Sequence, residues 1–325
     1  MLIRISLAFS LFLAAFAPSQ AQEVALEWKF AKGDKPFYQK LKTTTNQTIK
    51  IMGQSIAQTQ EMEFVFSWNV KDVDPTKIVL TQKIEACSMK MTLGGNEVKY
   101  DSTAKDAAEN PLSSFFKPII GSEFTITLDP ATMTVKAIDG RESFAKKLSD
   151  ANPNVALLLK SILTDEQLRQ MQEPAFTVVP DRGKKVKPGD TWSRESHLGM
   201  GPIGSFKTKY DYKYVGTEKR MVDGKEVVLH KIELKSTLTY MPPDAKEAGG
   251  LSFKIEGTSK LEATDASGVI FFDAERGRVV DSSMNVKIKG KLDIVVMDSK
   301  NEVDLEQVQA SVSTWSDKSP LETPK

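Results

Sequence analysis

Two histidines, a single cysteine and one glycine-rich string are the features of this 325-residue chain that could do chemistry. His197 and His230 lie far apart, and no spacing of Cys, Asp or Glu around either makes a metal-ligand set. His230 falls on the apolar side of an alternating run, the place of a satisfied core histidine or of a residue in a cavity wall. His197 shares a polar face with Glu195 and is expected in solvent. Cys87 stands beside Met89 and Met91 on the same face and reads as a small buried hydrophobe. Being alone, it cannot form an intramolecular disulfide. No carboxylate pair has a spacing that singles it out. No nucleophile, base or metal cluster can be assembled, so no catalytic residue is assigned and the chain is expected to be non-enzymatic, with no cofactor.

Gly199-x-Gly201-x-x-Gly204 matches the dinucleotide fingerprint as a string. That motif works only between a strand and a helix whose amino terminus meets a pyrophosphate. Here Pro202 lies inside the match and an aromatic period-two run follows, so the glycines are expected to serve a turn.

The aromatic stripes carry the most information. Phe64, Phe66 and Trp68 recur at every second position, as do Tyr210, Tyr212 and Tyr214. Such stripes either fill a core or line an apolar cavity with the tyrosine hydroxyls at its mouth. Together with His230 these six form the candidate ligand-binding set.

These residues sit on elements with a clear period. Met62, Phe64, Phe66, Trp68 and Val70 share one face while Glu61, Glu63, Ser67, Asn69 and Lys71 take the other. The alternation returns at Phe206–Tyr214, at Val228, His230, Ile232, Leu234, Leu238 and Tyr240, and from Met284 to Val296. One wet and one apolar face per strand predicts antiparallel sheets packed on one side. Asp74-Pro75, Asp129-Pro130, Asp223-Gly224 and Arg276-Gly277 are the turn residues of hairpins between such runs. In the run from Ile78 the apolar face shifts after Ile84 to Cys87, Met89 and Met91, which predicts a bulge near Ala86.

The spacing becomes helical from Gly140 to Glu173. Asn152 and Pro153 predict a helix start leading through Val155, Leu158, Leu159 and Ile162. Thr164 and Gln167 make a capping box for a second helix that carries Leu168 and Met171 inward. Asn110 to Ile120 predicts a shorter one. The expected fold class is α+β, mainly β: long antiparallel strands in two similar curved-sheet halves with a central helical segment. A weak duplication supports the halves, since Gly33-Asp34 with Phe37 and Gly189-Asp190 with Trp192 precede matching hairpins.

At the amino terminus, Arg4, the apolar stretch from Ile5 to Ala17 and the small residues Ser19 and Ala21 follow the order of a secretory leader, with cleavage expected after Ala21. The expected division is therefore 1–21 signal peptide, 22–139 first β-rich half, 140–174 helical segment, 175–316 second β-rich half and 317–325 flexible tail. Of 44 Lys+Arg and 43 Asp+Glu, loss of Arg4 leaves equal numbers, so net charge gives no case for nucleic acid. The basic run Arg182, Lys184, Lys185 and Lys187 lies among Pro180, Gly183 and Pro188 and reads as a solvated loop. No transmembrane segment is expected, and the location after export is periplasmic or extracellular.

Several short motifs then carry a resemblance: the Phe-x-Trp-x-Val strand, Tyr100-Asp101-Ser102, Pro188-Gly189-Asp190-Thr191-Trp192 and the late pattern of Phe272, Asp273, Gly277 and Arg278. In this order the chain resembles a bacterial exported β-rich family of unknown function. The resemblance implies export and a shared β-rich fold, and supplies no site. The functional expectation is a non-enzymatic binding protein for an apolar or amphipathic ligand, with a structural or protein-interaction module of the cell envelope as the alternative. The partner is then an apolar small molecule or an envelope protein.

Overall fold

The computed structural model describes residues 23–105, 110–153, 156–243 and 253–322. The expected leader and the last residues of the expected tail lie outside them.

Period-two alternation is realised as one antiparallel sheet of 13 strands. Its first half runs β2 (Phe37–Ile51), β3 (Gln54–Asp74), β4 (Lys77–Leu93), β5 (Asn96–Asp101), β6 (Glu123–Leu128) and β7 (Val135–Asp139). The second runs β9 (Thr191–Gly199), β10 (Ser205–Val222), β11 (Lys225–Met241), β12 (Lys254–Ile255), β13 (Lys260–Asp273), β14 (Arg278–Val296) and β15 (Ser299–Ser316). A separate two-stranded ribbon pairs β1 (Val24–Ala25) with β8 (Lys185–Val186).

Neighbours in sequence are mostly neighbours in the sheet, as the turn residues predict. The seam is the exception. β15 pairs antiparallel with β2 from Val303↔Ile51 to Ser316↔Tyr38, so the last strand closes on the first long one and both halves share a single sheet. The ends of the strand order are β7 and β9.

Asp side chains close the turns. The Asp74 carboxylate accepts from Thr76 and Lys77 N–H at 2.7 and 3.1 Å, and Asp273 accepts from Glu275 and Arg276 N–H, both at 2.9 Å. The two Gly-Asp pairs make the same turn. Asp34 accepts from Ala31 N–H at 2.9 Å and donates its own N–H to Ala31 O at 3.1 Å; Asp190 does so with Lys187 at 2.9 and 3.0 Å.

Between β7 and β9 lie helices α2 (Arg141–Ala151), α3 (Ala156–Ile162) and α4 (Asp165–Gln172), while α1 (Pro111–Phe116) follows β5. Thr164 caps α4 through a capping box with Gln167, and Asn110 caps α1 with Ser113 as its partner. α4 packs against both β7 and β9, so it spans the opening between the two ends of the sheet. An ion pair from the half-buried Arg141 to Asp165 at 2.6 Å ties the start of α2 to that of α4.

Three expectations change. Asn152 ends α2, its N–H and its side-chain amide both donating to Leu148 O, instead of starting the next helix; Val155 and the Leu158 side chain lie outside the described residues. Met171 is 57 % exposed at the rim of the helical layer, because α4 is short and only Leu168 faces fully inward. On β11, Val228 is half exposed and Leu229 is fully buried. The register shifts between Tyr214 and Gly216, and beyond it the outer face is covered where Arg220 lies 3.7 Å above the Phe271 ring.

The core is aromatic and sits where the first residues cross the sheet. Phe37 and Trp68 stack at 6.2 Å, Trp68 and Trp315 at 5.7 Å, and Phe176 meets Trp68 edge-on at 5.5 Å. The Trp28 indole N–H donates to Phe176 O at 2.7 Å, which satisfies its one polar atom in a buried position. Lys29 crosses Gly277 so closely that a Cβ there would lie 2.5 Å from its backbone nitrogen, which only glycine permits.

Candidate ligand cavity

Above this core the apolar faces of the strands do not meet the helices everywhere. A cavity of about 550 Å³ remains between the sheet and the helical layer. Its floor draws on both halves of the sheet, with β2, β3 and β4 on one side and β10, β14 and β15 on the other, and its cover includes Phe144 of α2, Leu163, and Leu168, Met171 and Gln172 of α4. Pockets of roughly 300–1,000 Å³ bury most of a drug-sized ligand, so the space is of ligand size.

Four of the seven candidate residues line it: Phe64 and Phe66 from β3, Tyr210 and Tyr212 from β10. Both pairs stack along their strands, at 5.6 and 6.4 Å. The bulge expected near Ala86 is present, with Glu85 as the extra residue: Val65 pairs with Ala86 while Phe66 pairs with Ile84. Burial pushes both tyrosine hydroxyls up in pKa, opposed at Tyr210 by a hydrogen bond with Thr208. Both therefore stay neutral donors at ordinary pH.

The other three lie elsewhere. Trp68 is fully buried one layer below, donating from its indole N–H to Gln39 Oε1 at 3.3 Å. Tyr214 and His230 form a pair outside the cavity wall, with Tyr214 Oη 2.8 Å from His230 Nδ1. Burial lowers the His230 pKa, opposed by the nearby buried Asp273. In the wall itself, the sequence reading passed over Gln39, Gln82, Gln172, Ser282 and Ser313. A signal existed: Gln82 interrupts the apolar face Ile78-x-Leu80-x-x-x-Ile84, and Gln39 follows Phe37 and precedes Leu41 on theirs. Gln39 donates to Ser313 Oγ at 3.0 Å across the seam, and Gln172 donates to Gln82 Oε1 at 3.0 Å from helix to sheet.

The remaining chemical candidates have structural roles. Cys87 is buried, and that burial, with Asp101 nearby, raises its thiol pKa to about 12. In the glycine string, Gly204 has φ +107° and a Cβ there would lie 2.5 Å from Met241 O, so it serves the β9–β10 turn. Among the described residues no group of three or more His, Cys, Asp or Glu is placed to hold a metal ion. No described helix is long and apolar enough to cross a membrane.

The fold and cavity define a mainly β protein in which an antiparallel sheet and a helical cover flank a partly open apolar cavity. The chain belongs to a family of unknown function (DUF6263), matched over residues 75–270. No curated protein matches the sequence. Among solved structures it is similar to lipovitellin, in a study of lipid–protein interactions, at 10 % identity over 91 % of this chain and 26 % of that one, with a TM-score of 0.41. The chain thus spans about a quarter of the lipovitellin chain. It is also similar to the hypothetical lipoprotein YmcC of Escherichia coli K12, at 10 % identity over 81 % and 85 % of the two chains, TM-score 0.23. A third likeness is to an exported protein of Bacteroides fragilis with a YmcC-like fold, at 6 % identity over 88 % and 99 %, TM-score 0.22. At these scores the likenesses transfer no function.

The motifs that carried the family resemblance are structural here. Ser102 Oγ accepts from Cys87 N–H at 2.9 Å, Asp190 and Asp273 close turns, and Arg278 lies over the Phe37 ring at 4.7 Å while reaching Asp34 at 3.7 Å.

Proposed function

We propose that the protein is an exported, non-enzymatic carrier or receptor that holds an apolar or amphipathic ligand between the sheet and the helices α2–α4. The observation that carries this reading is the 550 Å³ cavity walled by Phe64, Phe66, Tyr210 and Tyr212 from opposite halves of the sheet. A core whose purpose is stability alone is packed to near-crystalline density, and a void of this size forfeits contacts along its whole lining. The short cover α4, with the half-exposed Met171 at its edge, gives such a ligand a way in. The leader-like residues 1–21 support export.

The test is binding of an apolar fluorophore, N-phenyl-1-naphthylamine, to the mature protein and to Ser282→Phe. Ser282 lines the cavity, so a phenyl ring there occupies the space. Saturable binding at one site, weakened about tenfold or more by the substitution, supports the reading, since filling a pocket removes the area a ligand buries. No saturable binding, or equal binding by both proteins, contradicts it.

One observation favours a second reading, an interaction module of the envelope. Met52 and Met297 stand at hairpin tips, 84 % and 95 % exposed, in left-handed backbone (φ 51° and 47°) where Gly or Asn is the comfortable residue. Unchanged association of the protein with envelope fractions after Met52→Asn and Met297→Asn counts against that reading.

A further inference from the structure

We infer that the cavity selects an uncharged amphiphile, a single acyl chain bearing hydroxyl, ester or amide groups, over a fatty-acid carboxylate. The inference rests on the carrier reading and adds the ligand's charge and size.

Among the described residues that form the wall none is Asp, Glu, Lys, Arg or His. Its polar side chains are all neutral, and beside the hydroxyls of Tyr210, Tyr212 and Ser283 they include two bonded groups. One is Gln82 with Gln172, whose mutual bond uses one acceptor and one donor, leaving Gln82 Nε2 and Gln172 Oε1 to meet a ligand. The other follows the seam, where Gln39 bonds Ser313 and Ser282 stands opposite Ser313 in the register. Hydroxyl and ester groups find both donors and acceptors in such a wall. An ionised carboxylate would be taken from water into an apolar space with no cation to pair with, a far larger penalty than for a hydrogen-bonded neutral group.

The cavity volume bounds the size of the ligand. A methylene takes up close to the ~30 Å³ share of a water molecule. A cavity of about 550 Å³ is then of the size to take one chain of on the order of 18 carbons.

The experiment uses the mature protein loaded with N-phenyl-1-naphthylamine at pH 8, displaced in parallel by 1-monomyristoylglycerol and by myristate, each below its aggregation concentration. The expected result is half-displacement at about tenfold lower concentration for the glyceride, the unpaired carboxylate being the costly group. In Met62→Lys, which places a cation in the wall, the preference should shift toward myristate by about tenfold or more. Myristate displacing the probe as well as or better than the glyceride in the unsubstituted protein overturns the inference and leaves the carrier reading standing. If the probe binds and neither competitor moves it, the inference falls and the carrier reading stands; if the probe does not bind, both fall.

Discussion

Gln172 of α4 donates to Gln82 of β4 at 3.0 Å, a bond between side chains 90 residues apart in sequence that fastens the helical cover to the floor of the cavity. Gln82 is 3 % exposed, so its amide has few other partners. Gln172→Leu should therefore destabilise the fold by about 1–3 kcal/mol, the cost of leaving a buried acceptor unpaired. The double substitution Gln82→Leu with Gln172→Leu should recover most of that loss, because both polar groups then leave together. Urea unfolding of the four members of the cycle measures it; additive losses would show that the bond does not couple cover to floor.

Trp68 and Tyr210 lie on one side of the sheet but should behave differently. Trp68→Ala removes a fully buried ring from the Phe37–Trp68–Trp315 stack and should cost about 3–5 kcal/mol of stability. Tyr210→Phe keeps the ring and deletes only a hydroxyl at the cavity wall, so its stability should change by less than about 1.5 kcal/mol. Thermal unfolding compares them, and equal losses would mean that both residues are simply core.

His230 makes stability depend on pH. Burial holds its folded-state pKa below the ordinary value of 6.5, so the folded protein favours the neutral ring, whose Nδ1 can accept from Tyr214 Oη. The unfolded chain takes up the proton first as pH falls. The contribution is present above about pH 6.5 and is lost as pH falls through the folded-state pKa. The Tm of the wild-type protein should drop more between pH 7.5 and pH 5 than that of His230→Gln. An equal drop in both would assign the acid sensitivity to other groups.

Cys87 should be inert while the protein is folded. With its thiol pKa raised to about 12 and its side chain buried, almost no thiolate is available at pH 8. N-ethylmaleimide should leave the native mass unchanged over hours and add one label promptly in 6 M urea. Rapid labelling of the native protein would place Cys87 at an accessible position.

Much of this architecture was legible in the sequence. Alternation in Met62–Val70 gave β3 and the shared face of Phe64, Phe66 and Trp68, although Val65 and Ser67 on the expected wet face are buried; Asp74-Pro75, Asp129-Pro130, Asp223-Gly224 and Arg276-Gly277 gave the turns, and Thr164 with Gln167 gave the start of α4. These signals are local: a side-chain period, an Asp accepting the next N–H groups, a capping box. Asn152 misled because an Asn that caps either end of a helix looks the same when two helices follow one another closely. The β15–β2 seam was illegible, since a pairing between Val303–Ser316 and Tyr38–Ile51 leaves no mark in either strand alone. The cavity was half legible. Its aromatic walls follow from the stripes, but which rings pack and which face open space depends on how far α4 stands from the sheet. Trp68 went below that space, and Tyr214 with His230 fell outside it. The neutral wall was available in principle, as Gln39 and Gln82 break otherwise apolar faces, though only the fold brings them to Ser313 and Gln172.

A carrier leaves the cell that made it with a ligand in its cavity. Native mass spectrometry of the mature protein, purified from an exporting host without detergent or solvent, measures this directly. The predicted result is a mass above that of the bare chain by one small amphiphile, lost on organic extraction and absent from Ser282→Phe. A bare-chain mass, unchanged after incubation with envelope lipids, would contradict the account.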